Sequence, residues 1–183
     1  MSSKTRNRLT ILFILVLFVG PIVLAWLLAS GRLGWHSQTL SNHGELLMPP
    51  VDLSPYSGLP GIAPLFKLQP SEWAIVLVEN APCAEGCGKL LNDMLMVREL
   101  LGEGSERVSV RAIVAGANLV SIHANRVQVD PQATKLLMEK LEGRASIVLV
   151  DWRHQLMMRY DRNGPLGAIH KDLKRLLRAS AIR

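Results

Sequence analysis

The sequence predicts an α/β domain, a sheet with helices on both faces, carried behind one N-terminal apolar helix. Three observations lead there. From Trp73 onward, apolar runs short enough for buried strands alternate with helical stripes. Their order is strand, helix, strand, helix, strand, strand, helix, which packs as a sheet between helices. An uncharged apolar run, Leu9 to Ser30, precedes them all. At 183 residues the chain has room for one ordinary domain and an appendage. An apolar share of 49% with 20% charged residues excludes a disordered or collagen-like chain. Two cysteines exclude a disulfide-stapled miniature scaffold and a four-cysteine zinc site, and allow at most one intramolecular disulfide.

The N-terminal run LTILFILVLFVGPIVLAWLLAS holds 22 residues without a charge, which at about 1.5 Å per residue matches a ~30 Å hydrocarbon core. A membrane helix tolerates Gly20-Pro21 with a kink, and Trp26 suits an interface. Lys4, Arg6 and Arg8 in front of the run put the N-terminus in the cytoplasm by the positive-inside rule. Small residues at Ala29-Ser30-Gly31 admit a cleaved signal peptide as the rival, but such peptides have apolar regions of roughly 7 to 15 residues. Either way the body is exported, to a compartment where a disulfide persists. The expected organisation is a basic cytoplasmic tail (1–8), a transmembrane helix (9–30), an extended tether rich in Gly and Pro (31–70) and a folded domain (71–183). In a bacterium this places the span in the inner membrane and the domain in the periplasm.

Within the domain, Trp73 to Val78 is a continuous apolar run fit for a central strand. Leu90, Met94, Val97 and Leu101 form one stripe on a helix from about Ala84 to Leu101, stopped by Gly102 and Gly104. Val108 to Val114 is the next strand. Asp130-Pro131 opens a helix, Asp as N-cap and Pro in the first turn, that carries Leu136, Leu137 and Leu141 and ends before Gly143. Ile147–Val150 and Leu156–Tyr160 pair as a hairpin. Leu166, Ile169, Leu173, Leu176 and Leu177 mark a final amphipathic helix. Helical crossovers make the first three strands parallel in expectation, with the hairpin adding an antiparallel one. This βαβαββα string is the thioredoxin layout.

The net charge of +6 resides at the two ends. Besides the N-terminal cations, Lys171, Lys174, Arg175, Arg178 and Arg183 follow Pro165 against the single Asp172, which leaves the interior close to neutral. No interior basic face with interleaved aromatics exists, so nucleic acid is not an expected partner. The basic face of the last helix meets water, or an anionic headgroup or acidic partner surface. The chain carries no GxSxG, HExxH or Walker loop, which argues against a hydrolase.

Chemistry concentrates in NAPCAEGCG, Asn80 to Gly88, between the first strand and the first helix. A thiol at a helix N-terminus gains from the dipole and from free N–H groups, which favour the thiolate needed for disulfide exchange or soft-metal binding. Cys83 and Cys87 can close a disulfide or hold Cu(I) between them. Glu85 opposes the thiolate, and a static disulfide without turnover is the plain alternative. Met94 falls on the core stripe, and of Met157 and Met158 one belongs to the core, so packing rather than copper accounts for them. Asp151 and Arg159 are placed to form an ion pair.

The chain resembles the Sco/SenC-type thioredoxin-like proteins, membrane-anchored factors that help build the copper centre of cytochrome c oxidase. Within that group it is most similar to small bacterial transmembrane proteins associated with oxidase assembly. The likeness covers Trp73 to the C-terminus and rests on the cysteine pair with its Leu/Met-rich helix, on IVLVD (147–151), LMMRYD (156–161) and KDLKRLLRAS (171–180), and upstream on NHGELLMPP (42–50). The resemblance implies copper bound by the two cysteines and a distant histidine just before the strand at Ile147. That position reads Arg144-Ala145-Ser146, which supplies neither the histidine nor the cis-proline that thioredoxin-type oxidoreductases place there. His123, in the irregular 115–129 segment, is the remaining candidate third ligand. His154 and His170 read as surface imidazoles, and His36 and His43 fall in the tether.

What the resemblance implies is an accessory factor rather than an enzyme, acting on an oxidase subunit or another assembly factor through Cu(I) or thiol redox at Cys83 and Cys87. A non-catalytic docking scaffold and a general membrane-tethered thiol–disulfide oxidoreductase are the rivals.

Overall fold

The computed structural model describes residues 3–29, 42–83, 85–117 and 126–180. The chain divides into two compact units, Met1–Ser41 and Asn42–Arg183.

The first unit holds helix α1, Ser3–Ala29, 27 residues long with Pro21 inside it. Leu, Ile, Val and Phe fill it, and Phe13 through Val19 are all exposed, so every side of that stretch presents apolar surface. Among the described residues no helix is long and apolar enough to cross a membrane.

The second unit is a six-stranded sheet flanked by helices. In chain order its elements are β1 (Glu45–Asp52), β2 (Trp73–Cys83), α2 (Glu85–Glu99), β3 (Val108–Ala117), β4 (Val127–Val129), α3 (Pro131–Lys140), β5 (Ser146–Asp151), β6 (Gln155–Asp161) and α4 (Leu166–Ser180). The strands lie in the order β1-β6-β5-β2-β3-β4. The βαβαββα elements expected from Trp73 onward are all present, within a few residues of their expected ends.

Alternation along the strands divides the core between two faces. Trp73, Ile75 and Leu77 of β2 meet Cys87, Leu91 and Met94 of α2 and Ile169 and Leu173 of α4. Ala74, Val76 and Val78 turn the other way, onto Leu137 and Leu141 and onto Leu53, Ile62 and Leu65. The stripe of α2 centres on Leu91, fully buried, while Leu90 and Leu101 are only partly covered. In β6 an extra residue between the partners of Leu149 and Val150 puts Leu156 and Met158 on opposite faces. Met158 is buried in the core and Met157 half-buried beside it.

Three expectations change. The third predicted strand, β5, runs antiparallel to β2, not parallel. β4 ends at Val129, level with Val114 of β3, which itself lies beside Glu79 of β2; β5 begins at Ser146, beside Val78. Helix α3 therefore starts and finishes at the same end of the sheet. Its ten residues rise about 15 Å, close to the roughly 14 Å of three strand spacings. It lies across the strands, and β5 enters from the end where β4 left.

Second, the folded unit begins at Asn42, ahead of the boundary expected at 71. Residues 45–52 form β1 on the edge of the sheet, antiparallel to β6, and the segment after it buries Leu53, Ile62 and Leu65. Pro49-Pro50 falls where the β1–β6 register shifts, between Leu46 and Val51, which an edge strand allows because nothing needs the missing N–H groups.

Third, Asp151 and Arg159 do not pair. Arg159 stands opposite Val148, three residues from Asp151 along β5. Asp151 instead accepts from Arg153 N (3.0 Å) and Gln155 N (2.8 Å) in its own turn. The buried Arg159 donates to Glu45 (2.6 Å), Glu142 (3.2 Å) and Leu141 O (2.9 Å), tying the edge strand to the α3–β5 turn.

Candidate functional site: the cysteine turn between β2 and α2

β2 lies inside the sheet, between β5 and β3. Its last residue is Cys83, and α2 starts at Glu85. Pairing with β3 shifts between Glu79 and Pro82 and resumes with Pro82 opposite Gly116 and Cys83 opposite Ala117. Cys87 falls in the first turn of α2, where N–H groups lack intrahelical acceptors. It is 2% exposed and disulfide-bonded. Since the chain contains two cysteines, Cys83 is the intrachain partner the sequence offers.

A charged pair that sequence reasoning missed sits beneath this turn. Glu79 precedes Cys83 on β2 and continues the parity of Ile75 and Leu77, toward the α2 face. Arg162, just past the end of β6, brings Nε to 3.2 Å from Glu79 Oε1, with side-chain exposures of 28% and 14%. The contact is a charge pairing without hydrogen-bond geometry: Arg162 Nε and Glu79 Oε2 are buried with no hydrogen-bond partner among the described residues. A Cβ added to Gly86 would lie 3.8 Å from a terminal nitrogen of Arg162. The guanidinium thus reaches from strand β2 to the turn between the cysteines.

The Arg144-Ala145-Ser146 position is as the sequence indicates. Ser146 is buried, with Oγ donating to Arg144 O at 2.9 Å. The cis peptide among the described residues is Met48–Pro49, at a different place. His123 lies outside the described residues. His154 stacks on Phe66 (centroids 4.0 Å apart) beside the β5–β6 turn, and His170 has Nε2 3.3 Å from Leu100 O.

His43, one of the two histidines expected in the tether, is held inside the folded unit. His43 N (2.8 Å), Gly44 N (2.9 Å) and Tyr160 Oη (2.9 Å) donate to the Asp172 carboxylate, and His43 Nδ1 lies 3.2 Å from it. Burial pushes the Asp172 carboxyl up, but hydrogen bonds from Gly44, His43 and Tyr160 outweigh it and hold the group below its ordinary range. Burial, then the hydrogen bond to Asp172 and last its charge, push the Tyr160 phenol far up, so it stays a donor. His43, Gly44 and Tyr160 border a pocket of about 430 Å³ that Ser146, Arg159 and Pro165 also line. The available signal was Asp172 itself, a lone carboxylate among the cations of the last helix.

Two thiolates suit Cu(I) by softness. A disulfide offers no thiolate, however, and among the described residues no group of three His, Cys, Asp or Glu could hold a metal ion. The described residues fit a thiol–disulfide pair.

A thioredoxin-like α/β fold with a disulfide-bonded cysteine at the junction of an inner strand and its following helix defines a protein of the thioredoxin-like class. The chain belongs to the family described as transmembrane-like, thioredoxin-like, C-terminal domain, which it matches over residues 73–180. No curated protein matches it. Among solved structures it is similar to the copper-bound ScoI of Bradyrhizobium japonicum, with 14% identity over 57% of this chain and 85% of that one and a TM-score of 0.38. It is similar to the exposed lipoprotein thioredoxin of Streptococcus pneumoniae, with 15% identity over 64% and 96% and a TM-score of 0.41. A third is the bacterioferritin comigratory protein of Xanthomonas campestris, with 13% identity over 61% and 81% and a TM-score of 0.38. At these scores none of the three bears on what this chain binds or does.

Proposed function

We propose that this protein is a membrane-anchored accessory factor for cytochrome c oxidase assembly that acts by thiol–disulfide exchange at Cys83 and Cys87 and, once reduced, accepts Cu(I) as cargo. The observation that carries the exchange chemistry is Cys87, buried and disulfide-bonded in the first turn of α2 directly after an inner strand. Cys87 is closed to an external nucleophile, so attack falls on Cys83 and Cys87 resolves. Oxidase assembly rests on the likeness to Sco/SenC-type proteins in the motifs given above, and the partner is an oxidase subunit or another assembly factor. The membrane reading is supported by apolar side chains exposed on every side of the Phe13–Val19 stretch of α1, which a helix keeps when lipid covers it. Lys4, Arg6 and Arg8 then put the N-terminus in the cytoplasm and the domain in the periplasm of the bacterial inner membrane.

A second reading, a docking scaffold without turnover, is favoured by one observation: position 144–146 has neither imidazole nor cis-proline. Anaerobic Cu(I) titration of the reduced full chain, beside Cys83→Ser and Cys87→Ser, separates the readings. One equivalent bound, and lost in both variants, supports copper delivery. No copper uptake, with both thiols cycling on alkylation after treatment with a reductant, leaves exchange alone. Neither result leaves docking. An unchanged oxidase activity in a strain lacking the protein removes the assembly role altogether.

A further inference from the structure

We propose that Arg162, held by Glu79, is the positioning cation of the cysteine turn: its guanidinium stabilises the sulfur anion released when an external thiol opens the disulfide. The inference rests on the thiol-exchange reading above. Three observations converge on Arg162. It is ion-paired at 3.2 Å to a side chain on the strand that ends in Cys83. It reaches to van der Waals distance of where a side chain on Gly86 would begin, and Gly86 adjoins Cys87. Among the described residues, Arg162 Nε and Glu79 Oε2 are buried without hydrogen bonds, a costly arrangement for a pair whose only task is to hold the fold together. A Cβ on Gly86 would meet the guanidinium at ordinary contact distance, so the two lie side by side.

The chemistry gives this charge its use. A thiolate RS⁻ attacks the Cys83 sulfur, the disulfide bond breaks, and a mixed disulfide forms while Cys87 leaves as a thiolate. A second RS⁻ attacks the sulfur of the bound R group, forms RSSR and releases Cys83 as a thiolate. Two thiols have supplied two electrons to the pair and left as one disulfide, and their two protons end on the cysteines. Negative charge on Cys87 grows in the first step, next to Gly86 and beneath a helix N-terminus that provides only partial positive charge. A full cation at that point lowers the barrier, whereas Glu79 restrains the effect by neutralising part of the cation.

The test is the rate at which glutathione opens the disulfide in the full chain in detergent, followed by alkylation of the released thiols. Arg162→Met is expected to open about 5- to 10-fold more slowly and to lose most of the rate's dependence on ionic strength. Arg162→Lys recovers part of the rate, because the charge remains while the planar fork is gone. Glu79→Gln opens faster than the unaltered protein. A fold-supporting role alone cannot produce acceleration in one partner's variant and slowing in the other's. Arg162→Met opening at the unaltered rate, or Glu79→Gln slowed as much as Arg162→Met, overturns the inference while leaving exchange in place. A disulfide that glutathione cannot open even in the unaltered protein overturns the exchange reading and this inference with it.

Discussion

The Asp172 carboxylate is buried on a helix whose other ionisable side chains are His170, Lys171, Lys174, Arg175 and Arg178, and it fastens the start of the folded unit to the end of the chain. Gly44 is fixed by the same contact: a Cβ there would stand 2.5 Å from the Tyr160 ring, too close for any other residue without displacing the ring. Because the folded-state pKa of Asp172 lies below its unfolded value, the stability it contributes is present above about pH 4 and is lost as pH falls through the folded value. Asp172→Asn is therefore expected to cost about 1 to 3 kcal/mol at pH 7, with urea midpoints that converge on those of the unaltered protein as pH falls below about 4. An offset that stays constant from pH 7 to pH 3 would contradict this account of Asp172. At this scale the cysteines were legible, since their spacing and place before a helix are local properties. The Asp172–His43 and Glu79–Arg162 pairs were not, because each joins residues far apart in sequence with no shared motif.

The helices and inner strands declare themselves through periodicity, and α3 does so through chemistry as well. Asp130 Oδ1 accepts from Gln132 N (3.0 Å) and Ala133 N (2.9 Å), as its position before Pro131 leads one to expect. Its other oxygen takes Gly61 N at 2.8 Å, which the sequence did not reveal and which pins the segment after β1 against the helix. Asp130→Ala is accordingly expected to cost more than a cap alone: about 1 kcal/mol for the cap and another ~1 to 3 kcal/mol for the buried Gly61 N–H left without an acceptor. Asp130→Asn, which keeps one of the two acceptors, should lose less than Asp130→Ala, as read from urea midpoints. The elements that escaped notice share one cause: β1 and β4 are edge strands. Edges tolerate Pro49 and Pro50 or shrink to three residues, since they do not have to fill two neighbours' ladders or bury both faces. The expected parallel β5 needs a crossover helix that runs the length of the sheet, whereas α3 is only long enough to cross its width.

For the whole molecule, the sequence points to a boundary at residue 71, where regular periodicity begins, but the physical boundary is set by what covers the second face of the sheet. Leu53, Ile62 and Leu65 are at most 1% exposed there. Burying each is worth about 1.5 to 3 kcal/mol, a large part of the ~5 to 15 kcal/mol that holds a domain of this size together. Without residues 42–70, Ala74, Val76, Val78 and Leu156 would also lose part of their cover, and β6 would become a bare edge with its buried Arg159 deprived of Glu45. A chain from Asn42 to Arg183 should therefore unfold in urea as a single cooperative transition, whereas one from Ser71 to Arg183 should bind a hydrophobic dye at zero denaturant and unfold broadly or not at all. Both retain Trp73 and Trp152, so one fluorescence signal serves for each. If the shorter chain unfolded at the same midpoint as the longer, the segment after β1 would be packing on the surface of a complete domain rather than completing its core.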